Sequence, residues 1–191
     1  ISMDMPLVTS LGLASFFICH GLVSVNIPLI TSIANHAFQA CSSLTVIHMP
    51  LVTNVAFRGF QSCTSLTSVN LSQTQVVGAE AFNLCSNLTS LDMPLVTTLG
   101  INSFQFCSSL TSVQMPMVTL LGNEIFKGCT SLAELSIPGL TSIGDYTFES
   151  CSSLPSFFAP TSLTSIGDGA FYQCTGLRGN LFIPSSVTSV G

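Results

Sequence analysis

The eight cysteines are the residues of this chain with the widest range of possible chemistry, because a thiol can bind a metal, form a disulfide or act as a nucleophile. A metal site is disfavoured, since there is no C-x-x-C pair and a straight column of thiols cannot surround an ion tetrahedrally. Disulfides stay open, because stacking could bring Cα atoms within about 4.4–6.8 Å. We favour a ladder of small, buried, free thiols. The cysteines recur every 22 residues, or 23 once: Cys19, Cys41, Cys63, Cys85, Cys107, Cys129, Cys151 and Cys174.

The other residues capable of acid–base chemistry do not recur together. His20, His36 and His48 occupy three different positions relative to the cysteines and form no column. No acid, base and nucleophile share a spacing that would make them converge, and no phosphate-binding glycine loop occurs. We therefore predict a non-enzymatic protein with no cofactor or metal. The acids are expected at scattered, solvent-facing positions: Asp92, Glu124, Glu134, Asp145, Glu149 and Asp168.

A phenylalanine stands three residues before each cysteine, and a fixed period of about 20–50 residues indicates a repeat architecture. Most units also carry the pattern L-x-x-φ-x-φ-P, where φ is aliphatic, as in residues 110–116, although Ser72 replaces the proline in one of them. That pattern predicts a short, half-buried strand ended by proline. A small residue such as Gly78 or Gly100 follows, where we predict a turn with positive φ. The phenylalanine column is Phe16, Phe38, Phe60, Phe82, Phe104, Phe126, Phe148 and Phe171.

The full pattern φ-P-x-x-φ-T-x-φ-G-x-x-A-F-x-x-C-x-x-L resembles the BspA-like, or Treponema-type, class of leucine-rich repeat. The most similar stretches are residues 37–44 and 166–177. The resemblance implies a right-handed leucine-rich-repeat solenoid with a parallel β-sheet on one face, here of about eight repeats of 22–23 residues. It also implies a surface protein of bacteria or protists with a role in attachment. We expect residues 1–191 to be a single solenoid and a segment of a longer array, with an insertion at Gly179–Asn180.

The amino-acid composition narrows the classes of molecule that this chain is expected to bind. Charged residues make up 6% of the chain, and only three are basic. Nucleic acids and anionic membranes both require a basic footprint, so neither is expected as a partner. The most apolar window, residues 7–19, is shorter than the roughly 20 residues of a membrane-spanning helix. We therefore predict no membrane span, and a neutral surface rich in Ser, Thr, Asn and Gln.

The outward positions of the predicted strands form a shallow candidate binding face for a protein or glycan, in an extracellular or cell-surface protein. Two sequons, at Asn70 and Asn87, are candidate glycosylation sites. The candidate face comprises Asn26, Thr45, His48, Thr67, Asn70, Thr89, Asp92, Thr111, Gln114 and Glu134.

Two alternatives to the binding role stay open. Near-identical units whose ends carry no polar cap would suit a structural subunit or coat that associates end to end. A threonine column could also order water, as in ice-binding solenoids, although Gln75 and Val76 interrupt it. That column is Thr9, Thr31, Thr53, Thr97, Thr119, Thr141 and Thr164.

Overall fold

The computed structural model describes residues 1–178 and 182–191, which form about eight stacked turns of short strands and tight turns with no helix. The expected parallel β-solenoid is confirmed. The predicted insertion at Gly179–Asn180 lies outside the described residues. Strands are numbered in chain order, and the first column is β1 (Ser2–Asp4), β2 (Ser24–Asn26), β4 (Val46–His48), β6 (Ser68–Asn70), β8 (Ser90–Asp92), β10 (Ser112–Gln114) and β12 (Glu134–Ser136).

A second column of two-residue strands follows the proline corner of each turn and was not anticipated as a separate sheet. Neighbouring strands in both columns are parallel and one repeat apart, so that Val25 pairs with Ile47 and Val55 with Val77. The second column is β3 (Ser32–Ile33), β5 (Asn54–Val55), β7 (Val76–Val77), β9 (Thr98–Leu99), β11 (Leu120–Leu121), β13 (Ser142–Ile143), β14 (Ser165–Ile166) and β15 (Ser189–Val190).

The phenylalanine column forms a continuous stack through the core. Successive ring centroids lie 5.2–5.8 Å apart, with ring planes within 15° of parallel. The six rings from Phe38 to Phe148 have no solvent-exposed surface, while Phe16 and Phe171 are partly buried. Each large apolar side chain buried in this way contributes about 1.5–3 kcal/mol. Because one turn cannot bury its own apolar face, that stabilisation depends on the neighbouring turns.

The cysteines form a second ladder beside the rings, and all eight are free thiols. From Cys41 onward, each Sγ–H donates to the carbonyl oxygen of the phenylalanine one turn earlier, at 2.9–3.3 Å. Cys19 differs from the other seven because it is exposed. Burial raises the pKa of the Cys85 and Cys107 thiols well above the ordinary value of 9.0.

The prediction of positive φ at the column of small residues is wrong. Positive φ falls instead two residues before and two residues after each stacked phenylalanine, as at Arg58 and Ser62 beside Phe60. The glycines serve close packing between turns. A Cβ on Gly100 would lie 2.2 Å from the Ala79 backbone nitrogen, whereas one on Gly122 would meet nothing nearer than 3.9 Å.

Candidate binding face

The first strand column determines which side chains face outward, because successive residues of a strand point to opposite sides. The middle residue of each strand is directed into the core, and Val25, Val69 and Val113 are at most 3% exposed. The first and third residues therefore lie on the outer surface. The third position carries the more varied residues: Asp4, Asn26, His48, Asn70, Asp92, Gln114 and Ser136.

The structure brings six of the ten predicted face residues onto this column of strands. His48, Asn70 and Gln114 occupy third positions with exposed side chains. Asn26 is half-buried and donates from Nδ2 to Asp4 Oδ1 at 2.8 Å. Asp92 occupies the third position of β8, and Glu134 is exposed at the first position of β12.

The four predicted threonines lie one position before the strands, and three of their hydroxyls are used by the fold. Thr45 donates to the Val23 carbonyl at 3.1 Å, Thr89 to the Thr67 carbonyl at 2.9 Å, and Thr111 to the Thr89 carbonyl at 3.3 Å. These bonds satisfy corner carbonyls between turns. The threonines of this column therefore have a structural role that the sequence pattern alone did not reveal.

The threonines after the proline corner behave in the same way. Thr53, Thr141 and Thr164 each donate to a carbonyl of the preceding turn, at 2.7–3.2 Å. Because these hydroxyl hydrogens are already engaged, the column gives the ice-binding alternative less support than its spacing suggested.

An exposed aliphatic column at the proline corner was missed from the sequence. We call it the corner ridge, and its signal was the Leu or Met that follows the proline in several turns. It lies three residues after the third strand position, as Leu51 does after His48. The corner ridge comprises Leu29, Leu51, Leu95 and Met117, which are 43%, 46%, 42% and 54% exposed.

A shallow hollow of about 270 Å³ lies on the face where β8 and β10 are not joined by strand pairing. We call it the sheet-face hollow. Leu91, the middle residue of β8, is only partly buried there, unlike Val69 and Val113 in the strands to either side. The hollow is lined by Leu91, Met93, Pro94, Ser112, Gln114 and Pro116.

Two phenylalanines outside the stack also lie on this face. Phe158 forms a parallel bridge with Phe182 in the next turn, and the two side chains are 79% and 63% exposed. Phe158 stands seven residues after Cys151, as Ser136 stands seven after Cys129, so it continues the third-position column. We call these two residues the aromatic pair.

The side of the solenoid that carries the positive-φ turns holds most of the charge. Gln61 Nε2 donates to Glu80 Oε2 at 2.7 Å, and Arg58 Nε also donates to Glu80 at 2.9 Å. Gln105 Nε2 donates to Glu124 Oε2 at 2.7 Å.

Lys127 completes this network between turns. Its Nζ lies 3.3 Å from Glu124 Oε2 and 2.9 Å from Glu149 Oε2, and the hydrogen bond with Glu149 raises the pKa of Lys127. The expectation of scattered, solvated acids is therefore wrong for Glu124 and Glu149. Asp145 is also engaged, because its Oδ1 accepts the Asp168 N–H at 2.9 Å.

The remaining polar residues show no catalytic arrangement within the described part of the chain. His20 Nδ1 lies 3.1 Å from Ser42 Oγ, and His36 Nδ1 lies 2.6 Å from Gln39 Oε1. Both sequon asparagines, Asn70 and Asn87, are exposed. Residues 1–178 and 182–191 contain no group of three or more metal-ligating side chains, and no helix among them could cross a bilayer.

Comparison with known proteins agrees with this architecture. A leucine-rich-repeat protein of T. pallidum is 30% identical, with a TM-score of 0.75 over 81% of this chain and 78% of that one. A leucine-rich cell surface protein of Faecalibacterium prausnitzii is 20% identical, with a TM-score of 0.50 over 99% and 78% of the two chains. A leucine-rich-repeat protein of Eubacterium ventriosum is 16% identical, with a TM-score of 0.53 over 99% and 80%.

No curated protein sequence matches significantly. The BspA type leucine rich repeat region matches residues 9–118 and 75–191, in six copies. The chain therefore belongs to the BspA type leucine-rich-repeat family.

Proposed function

We propose that this solenoid is a non-enzymatic binding module, located outside the cell or on its surface, that contacts a protein or glycan through the first strand column. The location draws on the similar fold described as a leucine-rich cell surface protein, and on family membership. The binding role draws on the geometry of the face itself.

One observation carries the proposal: the positions that build the fold are nearly constant from turn to turn, whereas the third strand position is not. Phenylalanine and cysteine recur at every turn because they stack. The third position changes from amide to imidazole between Asn26 and His48, and to phenyl at Phe158. Within the described residues, His48, Asn70 and Gln114 make no side-chain hydrogen bond. Side chains that the fold does not require, displayed in register on a rigid scaffold, suit recognition.

The test is binding of the purified chain to arrays of extracellular proteins and of oligosaccharides. A face variant combines His48→Ser, Asn70→Ser and Phe158→Asn, because Ser136 and Asn26 show that the third position accepts these residues. A matched control combines Ile101→Asn and Tyr146→Asn on the opposite side of the solenoid, which carries the positive-φ turns. Asn123 and Asn102 occupy the equivalent positions there. We expect the face variant to lose at least tenfold in affinity and the control to bind normally. Equal binding by both variants would refute the proposal.

A second candidate function, end-to-end assembly, is favoured by an apolar hollow on the first turn. It measures about 210 Å³ and is lined by Ile1, Met3, Cys19, Gly21 and Leu22. A further turn of the same pattern, from this chain or from another copy, would cover it. Sedimentation at rising concentration tests whether another copy of the chain covers the hollow. We expect the chain to assemble and Met3→Glu to abolish the assembly. A purely monomeric chain would exclude end-to-end assembly.

A further inference from the structure

We propose that the aromatic pair and the sheet-face hollow together form a docking surface for an extended, apolar segment of a protein partner that carries no acidic residues. This inference rests on the proposed function and identifies the class of partner. Its evidence comes from positions where the chain departs from its own repeat.

The aromatic pair departs most clearly. Phe158 and Phe182 occupy a strand position that holds a polar residue in each of the seven preceding turns, from Asp4 to Ser136. The fold therefore does not need phenyl rings at this position. Two adjacent rings that are 79% and 63% exposed leave apolar surface in water, and such clusters mark interaction sites.

The corner ridge also carries apolar side chains that the fold does not require. Gln73, Gly139, Thr161 and Ser185 stand where the remaining turns place Leu or Met, so the corner does not require an aliphatic side chain. Leu95 and Met117 nevertheless expose 42% and 54% of their side chains beside the sheet-face hollow. Phenylalanine and methionine are enriched at protein interfaces relative to the rest of the protein surface.

The sheet-face hollow adds hydrogen-bonding capacity. In intact parts of the sheet, the Ile27 N–H donates to the His48 carbonyl at 3.1 Å, and the Met115 N–H donates to the Ser136 carbonyl at 3.0 Å. Among the described residues, the equivalent bond between the Met93 N–H and the Gln114 carbonyl is absent, as is the bond between the Met49 N–H and the Asn70 carbonyl, where β4 and β6 are also unpaired. A peptide backbone has both the acceptor and the donor that these groups lack.

Charge indicates what kind of segment fits. Neither the hollow nor the aromatic pair includes a charged residue among the described side chains. Arg58 and Lys127, two of the three basic residues, pair with acids on the opposite turns. An acidic segment would therefore lose hydration with no basic side chain to offset the loss, and Glu134, exposed beside Ser112, would repel it. A segment that carries apolar side chains and no acidic ones is the complementary partner.

A peptide is a better match than a sugar. Near the aromatic pair, the described outward neighbours are Ser136, Ser156, Pro155 and Glu134, of which only Glu134 could accept several hydrogen bonds from sugar hydroxyls. The amide-rich part of the face, at Asn26 and Asn70, lies several turns away. Glycan binding that depends on the aromatic pair is therefore the outcome that would contradict the inference.

The experiment selects a phage-displayed random peptide library on the immobilised chain and measures the selected peptides by fluorescence anisotropy, beside an oligosaccharide array. The first variant is Phe158→Asn with Phe182→Gln. Its control is Phe17→Gln, an exposed ring on the opposite turns, where Gln39 and Gln61 hold the equivalent position. The second variant, Ser112→Glu, charges the hollow and should fold, since Glu134 is its partner in β12. Its control is Ser24→Glu.

We expect peptides with apolar anchors and no acidic residues, at least tenfold weaker binding to each of the two variants, and unchanged binding to both controls. Failure to select peptides, or equal binding by variants and controls, would overturn the inference. If ligands instead depend on His48 and Asn70 but not on Phe158, the docking surface is wrong while the proposed function stands. If neither set of residues affects any ligand, both fail.

Discussion

At the scale of single residues, the cysteines show how a potentially reactive group becomes inert. Each thiol from Cys41 onward donates to a phenylalanine carbonyl, and Cys63 through Cys151 have no exposed surface. We expect iodoacetamide at pH 8 to modify only Cys19 in the native chain and all eight cysteines in denaturant, because the thiolate is the nucleophile. Mass spectrometry counts the modified sites. Rapid native modification of Cys85 or Cys107 would contradict the ladder.

Burial of these thiols predicts that the folded chain loses stability at alkaline pH. Burial raises the pKa of Cys41 and of Cys174 from 9.0 to about 11. Between these pH values the unfolded chain loses protons that the folded chain keeps, so the free energy of unfolding falls as pH rises. Below about pH 9 both states are protonated and the thiols contribute no pH dependence.

The urea concentration at which half of the chain is unfolded, the urea midpoint, measures this effect. We expect it to fall between pH 9 and pH 11, with a contribution from each buried thiol of up to about 1.4 kcal/mol per pH unit. Cys85→Ala should be less stable at pH 7 and show a shallower fall with pH. A midpoint that stays constant from pH 7 to pH 11 would contradict a buried, protonated ladder.

At the scale of the structural elements, the turns differ in how closely they pack, although their sequences are alike. Gly100→Ala would bring a Cβ within 2.6 Å of the Gly78 carbonyl carbon, so we expect a loss of about 1–3 kcal/mol. Gly122→Ala occupies the same repeat position with open space around it, and should be neutral or stabilising by up to about 1 kcal/mol. Urea unfolding compares the two. Equal effects would show that inter-turn packing does not select glycine.

The strands of the first column could be predicted from the sequence, because alternation and the proline stop operate within a few residues, as in residues 110–116. The positive-φ positions could not. His36 and Arg58 have no sequence signal for that conformation, and it is sustained by hydrogen bonds between turns, such as His36 N–H to the Phe57 carbonyl at 3.0 Å. A contact 21 residues away overrides the local preference for glycine.

At the scale of the whole molecule, the period alone predicted the stack, since each turn needs its neighbours to bury Phe82 or Phe104. The candidate face was predicted only in part. Strand alternation predicts that His48 and Gln114 face outward, as they do in the structure. The predicted face did not extend along the third-position column as far as Phe158. The sheet-face hollow could not be foreseen, because it depends on how neighbouring turns pack: β8 and β10 are unpaired there, as β4 and β6 are elsewhere.

Hydroxyl-radical footprinting of the chain with and without its bound partner tests the central claim, that the first strand column and its border make the contact. We expect protection of His48, Met117 and Phe158, with unchanged oxidation of Phe17 and Tyr146 on the opposite turns. Protection of Phe17 and Tyr146, with the face residues still fully oxidised, would place the binding site on the other side of the solenoid and contradict the proposal.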